Sequence, residues 1–296
     1  MLADAHLRFE AVRDTFKEAS EVVGYDMWDL IQNGEQGALN LTETTQPVLL
    51  SCSVALWRAW LAEGGPRPGV MAGHSLGEFS ALVCAESLSF ADAVSLVRKR
   101  GAFMQAAVPV GVGAMAAVIG LDDESINRIC ADVTSKTEGL AAAVNYNSPG
   151  QVVIAGHAGA VDEASALLKE AGAKRVLPLP VSAPFHTQLM QSAGEKLQQA
   201  LADIPIAPPS VPVIHNVHAR VETDPEAIRA LLVQQISSPV QWTRCIASIT
   251  AAGANQLVEC GPGKVLSGLN RRIDKTLSSF GIEQPETLAQ TLIEIA

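Results

Sequence analysis

Gly69-Val70-Met71-Ala72-Gly73-His74-Ser75-Leu76-Gly77-Glu78 is the stretch on which the fold turns. Its first four residues form a short apolar run that suits a buried strand. After it, Glu78-Phe79-Ser80-Ala81-Leu82-Val83-Cys84 is compatible with a helix. Between them lies G-x-S-x-G, which in a strand–turn–helix setting makes a nucleophile elbow. The two glycines let the backbone fold tightly without a Cβ clash, so Ser75 is thrust out at the turn. The helix that follows aims unpaired N–H groups at the same place, and the Leu76 N–H faces an oxyanion forming there. The alternative is a tight strand–helix turn with an inert serine.

Working outward, Phe9, Val12 and Phe16 recur at helical spacing and predict an amphipathic helix over Leu7 to Ala19. A second helix is expected from Pro47, in its first turn, to about Glu63, before Gly64-Gly65-Pro66 and Pro68 break the chain. Another starts at Ser89, an N-cap with Asp92 three residues on. The uncharged run from Phe103 to Leu121 contains Pro109, Gly111, Gly113 and Gly120, so it reads as a helix end, a loop and a strand, not a membrane span. From 111 to 181 the pattern is strand (Ala114–Ile119), helix (Asp122 to about Val133), strand (Ala141–Tyr146), turn (Asn147-Ser148-Pro149-Gly150), strand (Gln151–Ala155), helix (Ala160–Glu170) and strand (Arg175–Leu179). That β-α-β-β-α-β order is the ferredoxin-like one, and the segment can stand as a small inserted domain. Later residues are mainly helical, with short strands at 211–214 and 256–259.

Composition excludes several function classes. The chain has 296 residues, 48% hydrophobic and 18% charged, with a net charge of -10 and a pI near 5.1. A chain of that size buries a core without disulfides. Nucleic-acid binding needs a basic face, and 4% aromatics is too few for base stacking. Cys52, Cys84, Cys130, Cys245 and Cys260 are scattered, form no C-x-x-C pair, and suggest neither a disulfide framework nor a zinc site. A reducing cytoplasm fits them, and no signal peptide is visible at the start.

A nucleophilic serine needs a base. His6 reads as a surface group, His157 as a loop residue, and His215 and His218 as structural residues flanking a strand. His74 sits in the elbow and should point away from Ser75. His186, in Ala183-Pro184-Phe185-His186-Thr187, lies where the small domain returns to the large one, a favoured place for a site. In α/β-hydrolases the acid follows the serine and the histidine comes last. Here no histidine follows His218, which weakens a simple esterase reading.

Seven motifs in register carry a resemblance: Thr45-Gln46-Pro47, Gly73-His74-Ser75-Leu76-Gly77-Glu78, Arg100-Gly101, Asn147-Ser148-Pro149-Gly150-Gln151, Phe185-His186, Ser238-Pro239-Val240-Gln241-Trp242 and Gly261-Pro262-Gly263. Together they resemble the malonyl-CoA:acyl carrier protein transacylases of bacterial fatty acid synthesis. The resemblance implies an α/β fold: a large α/β-hydrolase-like domain (1–110 and 182–296) with an inserted ferredoxin-like domain (111–181). It implies Ser75 as nucleophile, His186 as base and Leu76 as oxyanion donor. It also makes Arg100 the grip on the malonyl carboxylate, Gln235 the residue orienting the histidine, and Gln46 and Phe185 lining of the cleft. Read without it, Arg100 is a helix-surface cation beside Arg98 and Lys99, Gln235 and Gln46 are solvated side chains, and Phe185 is core. The implied partners are malonyl-CoA, a coenzyme A thioester substrate, and acyl carrier protein. The chain is expected to be a monomer with no bound cofactor, no metal, no nucleic acid and no membrane. Phe185 would crowd a branched α-carbon and favour malonyl over methylmalonyl. Acyl carrier proteins are acidic, so docking to a chain at -10 calls for a local basic patch. Lys174-Arg175 and Arg271-Arg272 with Lys275 are the candidates.

One element of the family has no counterpart. Members open with a short apolar strand and a Gly-Gln-Gly-Ser-Gln loop, whose last glutamine supplies a second oxyanion N–H. Met1-Leu2-Ala3-Asp4 resembles the segment just after it. The expectation is a chain short by on the order of 10–20 residues at its start, with activity lowered by roughly 10²–10³. The alternatives are a serine thioesterase or esterase, a weakly active N-terminally truncated homologue, and a degenerate homologue that binds acyl carrier protein or coenzyme A without turnover.

Overall fold

The computed structural model describes residues 1–181 and 183–295. The expected second large segment begins on Ser182 and ends on Ala296, and both of those residues lie outside the described ones. Five helices open the chain: α1 (Ala3–Arg8), α2 (Glu10–Val23), α3 (Met27–Asn33), α4 (Gln36–Leu39) and α5 (Thr42–Ala62). Then come β1 (Met71–Ala72), α6 (Leu76–Cys84) and α7 (Phe90–Gln105). The middle holds β2 (Gly113–Ile119), α8 (Asp123–Lys136), β3 (Ala141–Ser148), β4 (Gln151–His157), α9 (Ala158–Glu170) and β5 (Arg175–Pro178). The rest is α10 (Gln191–Leu201), β6 (Val213–Ile214), β7 (Val221–Glu222), α11 (Pro225–Gln235), α12 (Trp242–Ala251), β8 (Gln256–Glu259), α13 (Val265–Ile273), β9 (Ser278–Gly281) and α14 (Pro285–Ile295).

The single helix expected over Leu7 to Ala19 is instead two. Phe9 adopts extended backbone (φ -109°, ψ 123°) between α1 and α2, and its ring is buried. Val12, Phe16, Ala19 and Val23 then form one buried stripe on α2, each large side chain contributing about 1.5–3 kcal/mol. The helix expected to begin at Pro47 begins five residues earlier. The Leu41 carbonyl accepts both the Thr44 and Thr45 N–H groups at 2.8 Å, so the first turn closes upstream and Pro47 sits inside the helix. Ser89 caps α7 as its spacing predicts, accepting the Asp92 N–H at 3.1 Å. Asp122 and Asp224 cap α8 and α11 in the same way.

Two sheets matter for the site. In the middle segment, β2, β3, β4 and β5 form an antiparallel sheet in the order β3-β4-β2-β5, and α8 and α9 close over its own apolar core. Its β3 edge is sutured to the segment before α12: Tyr146 N–H donates to the Val240 carbonyl (3.0 Å), and Val240 N–H donates to the Val144 carbonyl (2.8 Å). The second sheet is small but decisive. β1 runs parallel to β6, with Met71 opposite Val213 and Ala72 opposite Ile214. Residues leaving the carboxyl ends of these strands therefore come out side by side: Gly73-His74-Ser75 from one and His215-Asn216 from the other. Ligand sites of α/β sheets form at such ends. β7 and the parallel pair β8–β9 complete the strands; β7 and β9 are too short and too polar to show in a hydropathy pattern.

Candidate active site

Ser75 sits between β1 and α6 with φ 51° and ψ -105°, a strained conformation for a residue with a side chain. A Cβ on Gly73 would lie 1.9 Å from the Gly77 carbonyl, so glycine is required there. The expectation that both glycines are needed holds only for the first, because a Cβ on Gly77 would meet nothing within 4 Å. Leu76 is the first residue of α6, and its N–H is among those a helix start leaves without an intrahelical acceptor.

The structure brings Ser75 and His186 together across 111 residues: Oγ lies 2.9 Å from Nε2. On the other side of the ring, Nδ1 lies 2.8 Å from the Gln235 carbonyl oxygen. A carbonyl only accepts, so Nδ1 carries the proton and Nε2 is left as the acceptor for the serine O–H. Gln235 thus meets the histidine through its backbone carbonyl. Its side chain does other work: Oε1 accepts from Arg100 Nη2 (2.8 Å), and Nε2 donates to the Ser75 carbonyl (3.1 Å) and to Glu78 Oε2 (2.9 Å).

Arg100 is not a surface cation; it is 1% exposed. Nη1 donates to Gln46 Oε1 (2.8 Å), and Nη2 also donates to Ser75 Oγ (3.1 Å). Its Nε–H is buried without an acceptor among the described residues. Gly101 explains how the arginine gets there. A Cβ at this position would lie 2.4 Å from the Thr42 carbonyl, so glycine lets α7 close on the start of α5, where Gln46 sits. Burial lowers the Arg100 pKa to about 10, with Glu78 opposing, so the guanidinium is charged at neutral pH. Phe185 is half-buried beside His186 and packs against the cores on both sides. Gln46 and Gln235 are buried, not solvated.

Glu78 and Asn216 join the site without a sequence expectation, and His215, expected as a structural residue, packs with them. Glu78, His215 and Asn216 are all fully buried next to the elbow. Asn216 Oδ1 accepts the Ser75 N–H (2.7 Å), while Asn216 Nδ2 donates to the Gly73 carbonyl (2.7 Å). The available signal was a His-Asn pair directly after an apolar strand, and an acid in the first turn of an otherwise apolar helix. His74 does point away from Ser75, donating through Nε2 to Asn147 Oδ1 (2.8 Å). Among the described residues no group of three or more His, Cys, Asp or Glu could hold a metal ion, and no helix is long and apolar enough to cross a membrane.

Burial first, and the Arg100 charge second, push His186 from its ordinary 6.5 down to about 3. Between those values the unfolded imidazole binds a proton that the folded one refuses, so this residue makes stability fall as pH drops through that window. The base form persists there. Labelling of Ser75 by a fluorophosphonate is therefore expected to show no acid limb near pH 6.5, measured by intact mass from pH 8 down to pH 5. A limb at 6.5 would mean a solvated histidine.

The arrangement is a serine–histidine pair with a buried cation over the nucleophile, suited to acyl transfer from an anionic acyl group. The Acyl transferase domain model matches residues 2–292. The malonyl CoA-acyl carrier protein transacylase of Salmonella typhimurium is 53% identical over 295 residues, covering 99% of this chain and 94% of that protein. An acyl carrier protein S-malonyltransferase structure from Vibrio cholerae superposes with a TM-score of 0.96 at 51% identity, covering 98% of this chain and 94% of that one. A malonyl-transacylase solved in complex with its type II PKS acyl-carrier protein gives 0.97 at 50%, covering 99% and 94%. With the elbow, the pair and the buried arginine in place, and a family model spanning nearly all of its length, the chain belongs to the acyl transferase domain family.

Proposed function

We propose that this protein moves a malonyl group from malonyl-CoA to the phosphopantetheine thiol of acyl carrier protein through a malonyl-Ser75 ester. The observation that carries the reading is Arg100: a buried guanidinium 3.1 Å from the nucleophile, whose Nε–H has no acceptor among the described residues. A malonyl carboxylate supplies that acceptor, and two parallel N–H···O bonds fit it.

The transfer has two halves. His186 Nε2 takes the Ser75 proton as Oγ attacks the thioester carbonyl. The tetrahedral oxyanion is held by the Leu76 backbone N–H. The C–S bond then breaks, and His186 returns the proton to the departing coenzyme A sulfur. In the second half His186 takes the proton of the phosphopantetheine thiol, sulfur attacks the ester carbonyl, and Ser75 leaves with the proton restored. The chemistry uses no bound cofactor; coenzyme A enters as part of the substrate. Phe185 crowds a branched α-carbon and favours malonyl over methylmalonyl.

The β5-β2-β4-β3 order supports reading residues 111–181 as a ferredoxin-like domain set into an α/β-hydrolase-like one made of 1–110 and 182–296. Lys174-Arg175 and Arg271-Arg272 with Lys275 are exposed and are proposed to receive the acidic acyl carrier protein. Free, scattered cysteines support a cytoplasmic location. The test gives the purified protein malonyl-CoA with and without acyl carrier protein bearing its phosphopantetheine. Malonyl-acyl carrier protein should form faster than malonate is released. Malonate release at the same rate in both arms, with no loaded carrier, rejects transfer in favour of hydrolysis.

A further inference from the structure

Glu78 is fully buried one helical turn after Ser75, and no step of the transfer uses it. A carboxylate out of water is costly unless donors satisfy it. Here three N–H groups converge: Oε1 accepts from His215 Nδ1 (2.8 Å), and Oε2 accepts from the Asn216 N–H (2.8 Å) and from Gln235 Nε2 (2.9 Å). The donors belong to two other segments, the residues leaving β6 and the last residue of α11.

Two of these donor residues reach the reacting groups in one further bond. Asn216 brackets the elbow, taking the Ser75 N–H on one side and giving a bond to the Gly73 carbonyl on the other. That bracket holds the positive-φ backbone that aims Oγ. Gln235 accepts from Arg100 through its side chain and from His186 through its backbone. We infer that Glu78 is a positioning residue for the transfer: by fixing Asn216 and Gln235 it sets the Ser75 elbow, the His186 ring and the Arg100 guanidinium together, without touching substrate. This rests on the acyl-serine reading above.

A glutamine cannot reproduce the arrangement. An amide has one acceptor oxygen, and its NH₂ must face a donor. Turned toward Asn216 and Gln235, it meets two N–H groups. Turned toward His215, it forces Nδ1 to become an acceptor and moves the ring proton to Nε2, which is buried without a partner among the described residues. The first choice breaks both bonds that fix Asn216 and Gln235; the second keeps them only by stranding the His215 Nε2–H, so an amide holds the two residues less firmly than the carboxylate does.

The experiment uses a fluorophosphonate, whose phosphorus bonds to Ser75 Oγ as the P–F bond breaks, the serine proton passing to His186. Its rate reads the alignment of the pair independently of malonyl recognition. Glu78→Gln is expected to label about 10²-fold more slowly per folded molecule, the loss that a misplacement near 1 Å produces. The kcat of malonyl loading should fall in parallel, and KM for malonyl-CoA should rise as well, because Gln235 also holds the Arg100 guanidinium. Imidazole ¹⁵N spectra should show His186 leaving its single Nδ1–H tautomer, which a loss of stability alone would not cause. Should Glu78→Gln fail to fold, Asn216→Ala decides: it removes the elbow bracket while leaving Glu78 in place, and the same slowing is expected. Wild-type labelling in the folded variant overturns the inference. A wild-type protein that labels normally yet takes no malonyl would sink the transfer reading, and the Glu78 result would still stand on labelling.

Discussion

A Ser75→Ala variant incubated with malonyl-CoA is expected to stay at its unmodified mass, and loading of acyl carrier protein should drop to background. Among the described residues no cysteine is poised to replace the serine. Burial pushes the thiols of Cys52, Cys130, Cys245 and Cys260 up to about 12 and that of Cys84 well above its ordinary value, so thiolate is scarce at neutral pH. His186→Ala tests the other half of the pair. General-base loss should slow loading by about 10²–10⁴, short of abolishing it, because Arg100 Nη2 still donates to Oγ from 3.1 Å. Intact mass over a time course reads both variants. A malonyl adduct forming on Ser75→Ala at the wild-type rate would move the nucleophile elsewhere and remove the basis of the mechanism.

What the sequence makes legible follows from which interactions are local. The elbow, the Ser89 cap and the β-α-β-β-α-β order are written in neighbouring residues, and the structure has them where spacing puts them. The break at Phe9 and the early start of α5 were not legible, since each depends on where a buried ring or a carbonyl finds its partner. The site divides in the same way. Ser75 could be argued from its own pentapeptide. Arg100 could not: beside Arg98 and Lys99 it has the local look of a solvated charge, and only the packing of Gly101 on Thr42 buries it. The role proposed for it comes from the family resemblance, not from composition. Glu78 and Asn216 have no local signature, because their meaning lies in β1 and β6 running parallel, a pairing across more than 130 residues. The contact of Gln235 to His186 runs through its carbonyl, which any residue type could have offered. Its side chain is constrained instead by Arg100 and Glu78.

Arg100→Ala is the substitution that separates acyl selectivity from acyl chemistry. Hydrogen bonds to a charged partner contribute about 1.5–3 kcal/mol each. Losing a two-bond clamp therefore removes roughly 3 kcal/mol or more, and at about 1.4 kcal/mol per decade kcat/KM for malonyl-CoA should fall by about 10² or more. Acetyl-CoA has no carboxylate to lose, so its rate should fall much less. It should still fall somewhat, because the substitution strands two buried acceptors, Gln46 Oε1 and Gln235 Oε1, and slackens the residue whose carbonyl orients His186. The informative quantity is thus the malonyl-to-acetyl ratio, in which that shared loss cancels. Arg100→Lys sharpens the test. It keeps a charge but not the planar fork, so its ratio should lie between wild type and alanine. A ratio unchanged in Arg100→Ala, with the protein folded and Ser75 still reactive, would refute the carboxylate clamp and require another source of malonyl preference. A ratio restored fully by lysine would show that charge alone suffices, and that the two-bond geometry is not what selects the acyl group.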